Sequence, residues 1–191
     1  MFHPYPTAGK KVANRDNHYE AAFEEYLRQR GIPYVAVDEA KRSLLARESI
    51  KSLDFIVSAP RGHSWLVDVK GRRFPSGERK QYWKNWSTRD DLWSLAQWER
   101  LFGDRFRGLF VFAFAIVADR SPLPAAQLFT FRGRRYGFVG VGLHQYAYHA
   151  RRISPKWDTV AVPHRRFRQL ARPLETLLHA PEPVSPDAAE V

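Results

Sequence analysis

The 191-residue sequence contains no cysteine. This absence excludes disulfide bonds, thiolate zinc sites and a cysteine nucleophile, and it fits a protein of the reducing cytoplasm. Long apolar runs are also missing, because the most hydrophobic stretch, Gly108 to Val117, is too short to span a bilayer. Residues 1–11 contain no apolar run of signal-peptide length. The sequence therefore predicts a cytoplasmic protein without a transmembrane segment.

Acidic residues are scarce relative to basic ones. Lys and Arg number 31 against 20 Asp and Glu, which gives a formal net charge of +11. This excess predicts a polyanionic partner, and we expect nucleic acid, with DNA favoured over RNA. An anionic membrane surface, or a basic surface that merely keeps the protein soluble, explains the same charge.

The composition is otherwise that of a folded domain, with 44% hydrophobic and 14% aromatic residues. Residues 1–13 and 179–191 carry Pro and Gly or Pro and acidic residues without periodicity, so both segments are predicted to be flexible tails. Residues 14–178 show no internal repeat and are predicted to form a single domain.

Hydrophobic periodicity and turn residues predict the elements between the tails. The predicted elements are a helix over 17–30, strands over 34–37, 53–58 and 64–69, a polar loop over 71–87, a helix over 88–103, a strand over 109–117, a hairpin over 127–131 and 136–141, a strand over 159–162 and a helix over 163–178. The second helix is apolar almost all round, so we expect it to be covered on more than one side. The fold class is therefore α/β, an α-β-β-β-α-β mixed sheet flanked by helices, with a C-terminal hairpin and helix.

One predicted strand carries a pattern that suggests chemistry. Side chains alternate along a strand, so Asp68 and Lys70 share one face while Val67 and Val69 point into apolar packing. Asp54 opens the preceding predicted strand and reaches the same end of the sheet if the two strands are neighbours. Two carboxylates with substrate phosphate oxygens suit Mg²⁺ or Mn²⁺, beside which Lys70 would position water or stabilise charge. A lone Asp-x-Lys on a solvated strand face is the ordinary alternative.

An acidic residue on the first helix completes the predicted set. Glu20 lies at the border of the helix's apolar stripe, so it is the acid best placed to face the sheet edge and a metal; Glu24, one turn later, is the second choice. The alternative for Glu20 is structural, because Asn17 is a natural N-cap and Glu20 then occupies the third position of a capping box.

These residues carry a family resemblance. The run His18 to Glu24 resembles the signature of the HYExAFE family, and the acid, Asp, Asp-x-Lys order resembles the PD-(D/E)XK nuclease superfamily. The run Ser49 to Asp54 is similar to archaeal Holliday junction resolvases, within a resemblance that spans about residues 16–117. It implies a restriction-endonuclease-like core and metal-dependent phosphodiester hydrolysis, with Glu20, Asp54 and Asp68 as metal ligands and Lys70 as a further catalytic residue. Leu53 stands where the superfamily name has Pro, and the second acid is Asp instead of the frequent Glu.

Basic and aromatic residues form the predicted nucleic-acid surface. Cations interleaved with tryptophans suit phosphate contacts and base stacking, although the tryptophans could equally pack in the core. The residues of this surface are Lys51, Arg72, Arg73, Arg79, Lys80, Trp83, Lys84, Trp86, Arg134 and Arg135. Gln97 of the second helix is an additional candidate near the metal, with a plain surface role as its alternative.

The sequence leaves two rivals to a metal-dependent endonuclease. One is a catalytically inactive nucleic-acid-binding protein with a nuclease fold, and the other is a basic scaffold that binds protein or membrane. A homodimer that makes paired cuts also stays open.

Overall fold

The structure is a computed structural model, and it describes residues 17–37, 43–45, 48–58, 62–76 and 83–179. The predicted tail 1–13, most of the predicted tail 179–191, and Arg79 and Lys80 lie outside these residues.

The described elements follow the predicted order with additions. In chain order they are α1 (His18–Gln29), β1 (Tyr34–Ala36), β2 (Ser43–Leu45), β3 (Glu48–Ile50), β4 (Phe55–Val57), β5 (Ser64–Phe74), β6 (Ser87–Thr88), α2 (Arg89–Phe102), β7 (Phe106–Ile116), a 3-10 turn (Ala125–Gln127), β8 (Phe129–Phe131), β9 (Arg134–Gly142), α3 (Leu143–His149), β10 (Arg151–Ser154), β11 (Thr159–Ala161), α4 (His164–Leu170), β12 (Arg172–Pro173) and α5 (Leu174–His179).

Within the described ranges, seven strands form the central sheet in the order β1-β4-β5-β7-β9-β12, with β8 paired to β9. Neighbours are antiparallel except β5 and β7, which run parallel over eleven residue pairs and are joined by the crossover through α2. The hairpin β8–β9 turns through Arg132 and Gly133, both at positive φ, as a two-residue turn between twisted strands requires. The predicted mixed sheet, its α-β-β-β-α-β order and the C-terminal hairpin are confirmed.

Two apolar layers cover the sheet. On one face, Ala22 and Phe23 of α1 pack with Val67 and Val69 of β5. On the other face, Leu95 of α2 packs in a core shared with the neighbouring helices α3 and α4, together with Leu66, Phe110, Phe112, Tyr146 and Phe167. The strand β5 therefore contributes alternate side chains to two different cores.

Three predicted features are wrong. The loop expected over 71–87 begins as strand, because β5 continues to Phe74 against β7. The helix expected over 163–178 is split, since Pro173 has no backbone N–H and disfavours the helical conformation of the residue before it. Within the described residues the second helix is not covered on several sides, because Trp93, Leu101 and Phe102 are exposed.

No helix in the described part of the chain combines the length and the apolar character needed to cross a membrane.

Gly71 is required by the close approach of α1 to β5. A Cβ at Gly71 would lie 2.2 Å from Cδ2 of the Tyr19 ring, whereas a Cβ at Gly142 would meet nothing within 4 Å. We predict that Gly71→Ala lowers the free energy of unfolding by about 1–3 kcal/mol, because the ring must move out of a packed position. Urea denaturation followed by circular dichroism measures this change.

The matched control is Gly142→Ala, which we expect to be neutral or stabilising by up to about 1 kcal/mol. Equal stability of the two variants would contradict the steric role of Gly71.

Candidate active site

The alternation of β5 sets which charged residues can meet. Val67 and Val69 belong to the core beneath α1, so Asp68, Lys70 and Arg72 point to the opposite face, toward α2. The strand pairs with β7 along its whole length and with β4 from Trp65 to Val67, so its backbone is fixed along the stretch that carries these charges. Charged side chains are thereby held in a row beneath a helix.

Asp54 joins this row from the neighbouring strand. Phe55, the first residue of β4, pairs with Val67, so Asp54 comes directly before the paired part of β4. The Asp54 N–H donates to the Val67 carbonyl at 2.9 Å, and the Asp54 carboxylate accepts from the Val69 N–H at 2.5 Å. The structure therefore places Asp54, just before β4, against the backbone of the β5 segment that carries Asp68 and Lys70.

Lys70 lies between two carboxylates. Its Nζ is 2.8 Å from Oδ1 of Asp68 and 3.0 Å from Oδ2 of Asp91 on α2. The other oxygen of Asp91 is 2.9 Å from Nζ of Lys51, which is also 3.2 Å from Asp90. Lys51, predicted to contact nucleic acid, is thus paired with the helix that covers the site.

Asp91 is the residue of this network that sequence reasoning missed. It is the third residue of α2, where its carboxylate completes a capping box with Thr88, and it also accepts from the Ser87 hydroxyl at 2.9 Å. The sequence did contain a signal for Asp91, because this residue lies one helical turn before the apolar Leu95, which is buried in the structure. A capping residue on the buried face of a helix has access to both the backbone and the sheet.

Burial and neighbouring charges shift the pKa values of Asp68, Lys70 and Asp91 in opposite directions. Burial raises the pKa of Asp68, and the attraction of Lys70 offsets this only in part. Burial alone would lower the pKa of Lys70, but Asp68 and Asp91 outweigh it and hold that pKa above its ordinary value. Burial likewise opposes ionisation of Asp91, yet Lys70 and the hydrogen bonds from Lys51 and Thr88 hold its pKa well below the usual range.

The predicted acids on α1 lie in the other layer. The Glu20 side chain accepts a hydrogen bond from the side-chain amide of Asn17, a contact to the side chain of the N-cap residue and not to its backbone N–H as in a capping box, and Glu24 accepts from the Tyr34 hydroxyl at 3.0 Å. Among the residues that the structure describes, no three His, Asp or Glu side chains are grouped closely enough to hold a metal ion. Glu20 is therefore not brought into a three-carboxylate cluster with Asp54 and Asp68.

Gln97 lies apart from the network. The small recess over Asp68 is lined from α2 by Asp91, Ser94, Leu95 and Trp98, whereas Gln97 accepts from Arg100 at 3.2 Å on the exposed side.

Beyond Lys70, the same strand leads into a groove of about 710 Å³. Its lining includes Arg72, Arg73, Lys84 and Trp86, four of the residues predicted to contact nucleic acid, and no carboxylate occurs among the described residues that line it. Arg72 is buried and donates to the carbonyls of Gly71 and Trp86, so it braces the groove from beneath. Burial lowers the pKa of Arg72 to about 10, which leaves it charged at neutral pH.

The remaining residues that were predicted to contact nucleic acid fall into two groups, one packed in the core and one exposed beside the groove. Trp83 packs against Phe114 and Phe167, with ring centroids 6.0 and 6.1 Å away, so it follows the core alternative. Arg134 and Arg135 are exposed, and Arg135 donates to the carbonyl of Ala118 at the groove edge. These two arginines extend the positive charge of the groove outward.

No protein-family model and no curated protein matches this chain. Among solved structures it is similar to Archaeoglobus fulgidus Hjc, a Holliday junction resolvase from an archaeal hyperthermophile, with a TM-score of 0.46 and 10% identity over 84% of this chain and 98% of that chain. The resemblance to the HYExAFE family stays a prediction, and the structural similarity leaves the function of this chain open.

The geometry predicts that Asp91 carries the charge balance of the site. We expect Asp91→Asn to lower the free energy of unfolding at pH 7 by about 3 kcal/mol, because Lys70 and Lys51 lose a buried counter-charge. The folded-state pKa of Asp91 is depressed, so its stabilising effect is present above the unfolded pKa of about 3.9 and is lost as the pH falls through the folded value. The difference between wild type and variant should therefore shrink below about pH 4, as measured by urea denaturation across pH.

Asp90→Asn is the matched control, since Asp90 also contacts Lys51 but its side chain is 44% exposed. It should change stability by less than about 1 kcal/mol. A difference for Asp91→Asn that stays constant down to pH 2 would contradict the ionic role of Asp91.

Proposed function

We propose that this protein is a metal-dependent nuclease that hydrolyses phosphodiester bonds, with DNA as the expected substrate. The observation that supports the proposal is that Asp54 bonds to the backbone of the β5 segment that carries Asp68 and Lys70, where Asp68 and Lys70 form an ion pair. Asp68 lies on β5, which continues into a groove lined with cations. A carboxylate pair next to a polyanion-binding surface has little purpose unless a cation lies between them.

The donor set fits a hard divalent cation. Mg²⁺ commonly binds through one or two protein carboxylates and completes its coordination with water and substrate phosphate oxygens, so a third protein ligand is not required. The raised pKa of Asp68, caused by burial, means that its ionised form lacks sufficient compensating charge, which a cation would supply. We therefore propose Asp54 and Asp68 as the ligands, without Glu20, because α1 packs on the other face of the sheet.

Lys70 has a role limited by its protonation. Its raised pKa keeps the ammonium charged at neutral pH, so it cannot accept a proton from water and serves instead as a fixed positive charge for the phosphate. Asp91 is a positioning residue in this scheme, since it holds Lys70 from the side opposite Asp68. A bound Mg²⁺ or Mn²⁺ would lower the pKa of an attacking water and offset developing charge.

The groove supplies binding close to this chemistry. Asp68 and Arg72 are four residues apart on an extended strand, which corresponds to about 13 Å. A nucleic acid whose backbone follows Arg73 and Lys84 can therefore reach the carboxylates with another part of the same strand.

The test is cleavage of supercoiled, linear, branched and single-stranded DNA, and of RNA, in Mg²⁺ or Mn²⁺. Wild type should cut at least one of these substrates, and Asp68→Asn should reduce the rate by about a hundredfold or more because a ligand is lost. Lys70→Gln should lose cleavage in the same way while retaining Mn²⁺ binding, measured by isothermal titration calorimetry. Circular dichroism verifies that each variant is folded.

Asp104→Asn is the control, because Asp104 is exposed in the turn after α2 and should leave cleavage unchanged. Cleavage by Asp68→Asn at the wild-type rate would refute the proposal. Nucleic-acid binding with no cleavage by wild type in either metal would instead favour the inactive binding protein.

A further inference from the structure

Trp86 is an exposed tryptophan on a segment that is otherwise held firmly. Its side chain is 42% exposed, although the residues on either side, Asn85 and Ser87, are buried. The Asn85 side chain accepts from the Val162 N–H at 2.8 Å and donates to the Val162 carbonyl at 3.0 Å. The backbone carbonyl of Asn85 accepts from the Tyr146 hydroxyl at 2.5 Å. The backbone thus presents the indole ring in a fixed position, so its exposure is not the result of a loose loop.

One face of this ring is already covered. The Arg72 guanidinium lies 4.0 Å from the ring centroid and also donates to the Trp86 carbonyl. A cation against one face of an indole is favourable and restricts its rotation. Because the residue is nevertheless 42% exposed, part of the apolar ring is accessible and has a buried positive charge behind it.

Two cavities meet at this residue. The groove of about 710 Å³ and a second cavity of about 460 Å³ both include Trp86 and Lys84 in their linings. The first cavity adds Arg73 and the second adds Arg151 and His164, while the described residues that line either cavity include no carboxylate. Both volumes fall in the range of about 300–1,000 Å³ typical of sites for small ligands, which suits single nucleotides.

We infer that Trp86 is a stacking platform for an unpaired nucleotide, and that a single strand crosses it from one cavity to the other with its phosphates near Arg73, Lys84 and Arg151. An aromatic side chain needs an exposed base face, and in a duplex both faces of an interior base are covered by its neighbours. This inference rests on the proposed function, because it names the form of nucleic acid that approaches the carboxylates.

The test measures binding without turnover. Fluorescence anisotropy in EDTA compares a labelled oligothymidylate of about ten nucleotides, within the site sizes of single-strand grooves, with a blunt duplex of equal length. Trp86→Ala should weaken binding of the oligothymidylate about tenfold, as loss of one stacked base predicts, while the affinity for the duplex changes by less than about twofold. Trp86→Phe keeps an aromatic face and should recover most of the loss.

The matched control is Trp157→Ala. Trp157 is 69% exposed and has Lys156 5.3 Å from its ring centroid, but it lines neither cavity, so its loss should not alter binding. In a second arm, Arg73→Ala combined with Lys84→Ala should reduce the salt dependence of single-strand binding, lowering the slope of log K against log salt by roughly 1.4.

The outcomes separate this inference from the proposed function. Equal loss of single-strand and duplex binding in Trp86→Ala, or no loss of either, overturns the stacking role even if cleavage depends on Asp68. A selective loss of single-strand binding supports the stacking role, and it does so equally if wild type cleaves nothing, which would overturn the nuclease proposal alone.

Discussion

The pairing of β5 with β4 on one side and β7 on the other is the constraint on which the rest of the structure depends. Eleven residues of β5 are held in register with β7, so no residue along this strand can rotate to the other face. One slip in register would place Asp68 and Lys70 in the apolar layer beneath α1 and Val67 and Val69 beneath α2. The cost of burying unpaired charges in an apolar core excludes that arrangement. Hydrophobic packing therefore determines where the charges lie.

The charges beneath α2 are a poor source of stability. Desolvation of buried ions offsets most of their mutual attraction, and well-packed apolar residues are often as stable in their place. Stability alone therefore does not explain why these charges lie in this position, and burial raises the pKa of Asp68 even beside Lys70. Asp91 balances Lys70 and also caps the helix, so a single side chain ties the covering helix to the strand below it. The position of α2 and the position of Lys70 are therefore coupled.

The groove beyond the site depends on the same strand. Because β5 extends past the predicted loop boundary, Arg72 and Arg73 have defined positions in place of mobile ones, and Arg72 can brace the segment that carries Trp86. Arg72 thus supports Trp86, whose ring forms part of the groove surface. The cations Arg73 and Lys84 also line this groove. In the proposed function, binding and chemistry would be connected through β5 as one rigid element, which would limit how a bound strand is aligned with the carboxylates.

Local patterns in the sequence were enough to predict much of this protein. The cap at Asn17, the alternation around Asp68 and the turn at Gly133 each depend on a few neighbouring residues, and short-range geometry decides them. Asp54, Asp68 and Lys70 could be grouped because the strands that carry them are close in sequence. The end of β5, the partner of Lys70 and the layer occupied by Glu20 could not be predicted in this way. Those features depend on contacts between residues distant in sequence, the pairing with β7 and the packing of α1 and α2 on opposite faces, which only the assembled sheet establishes.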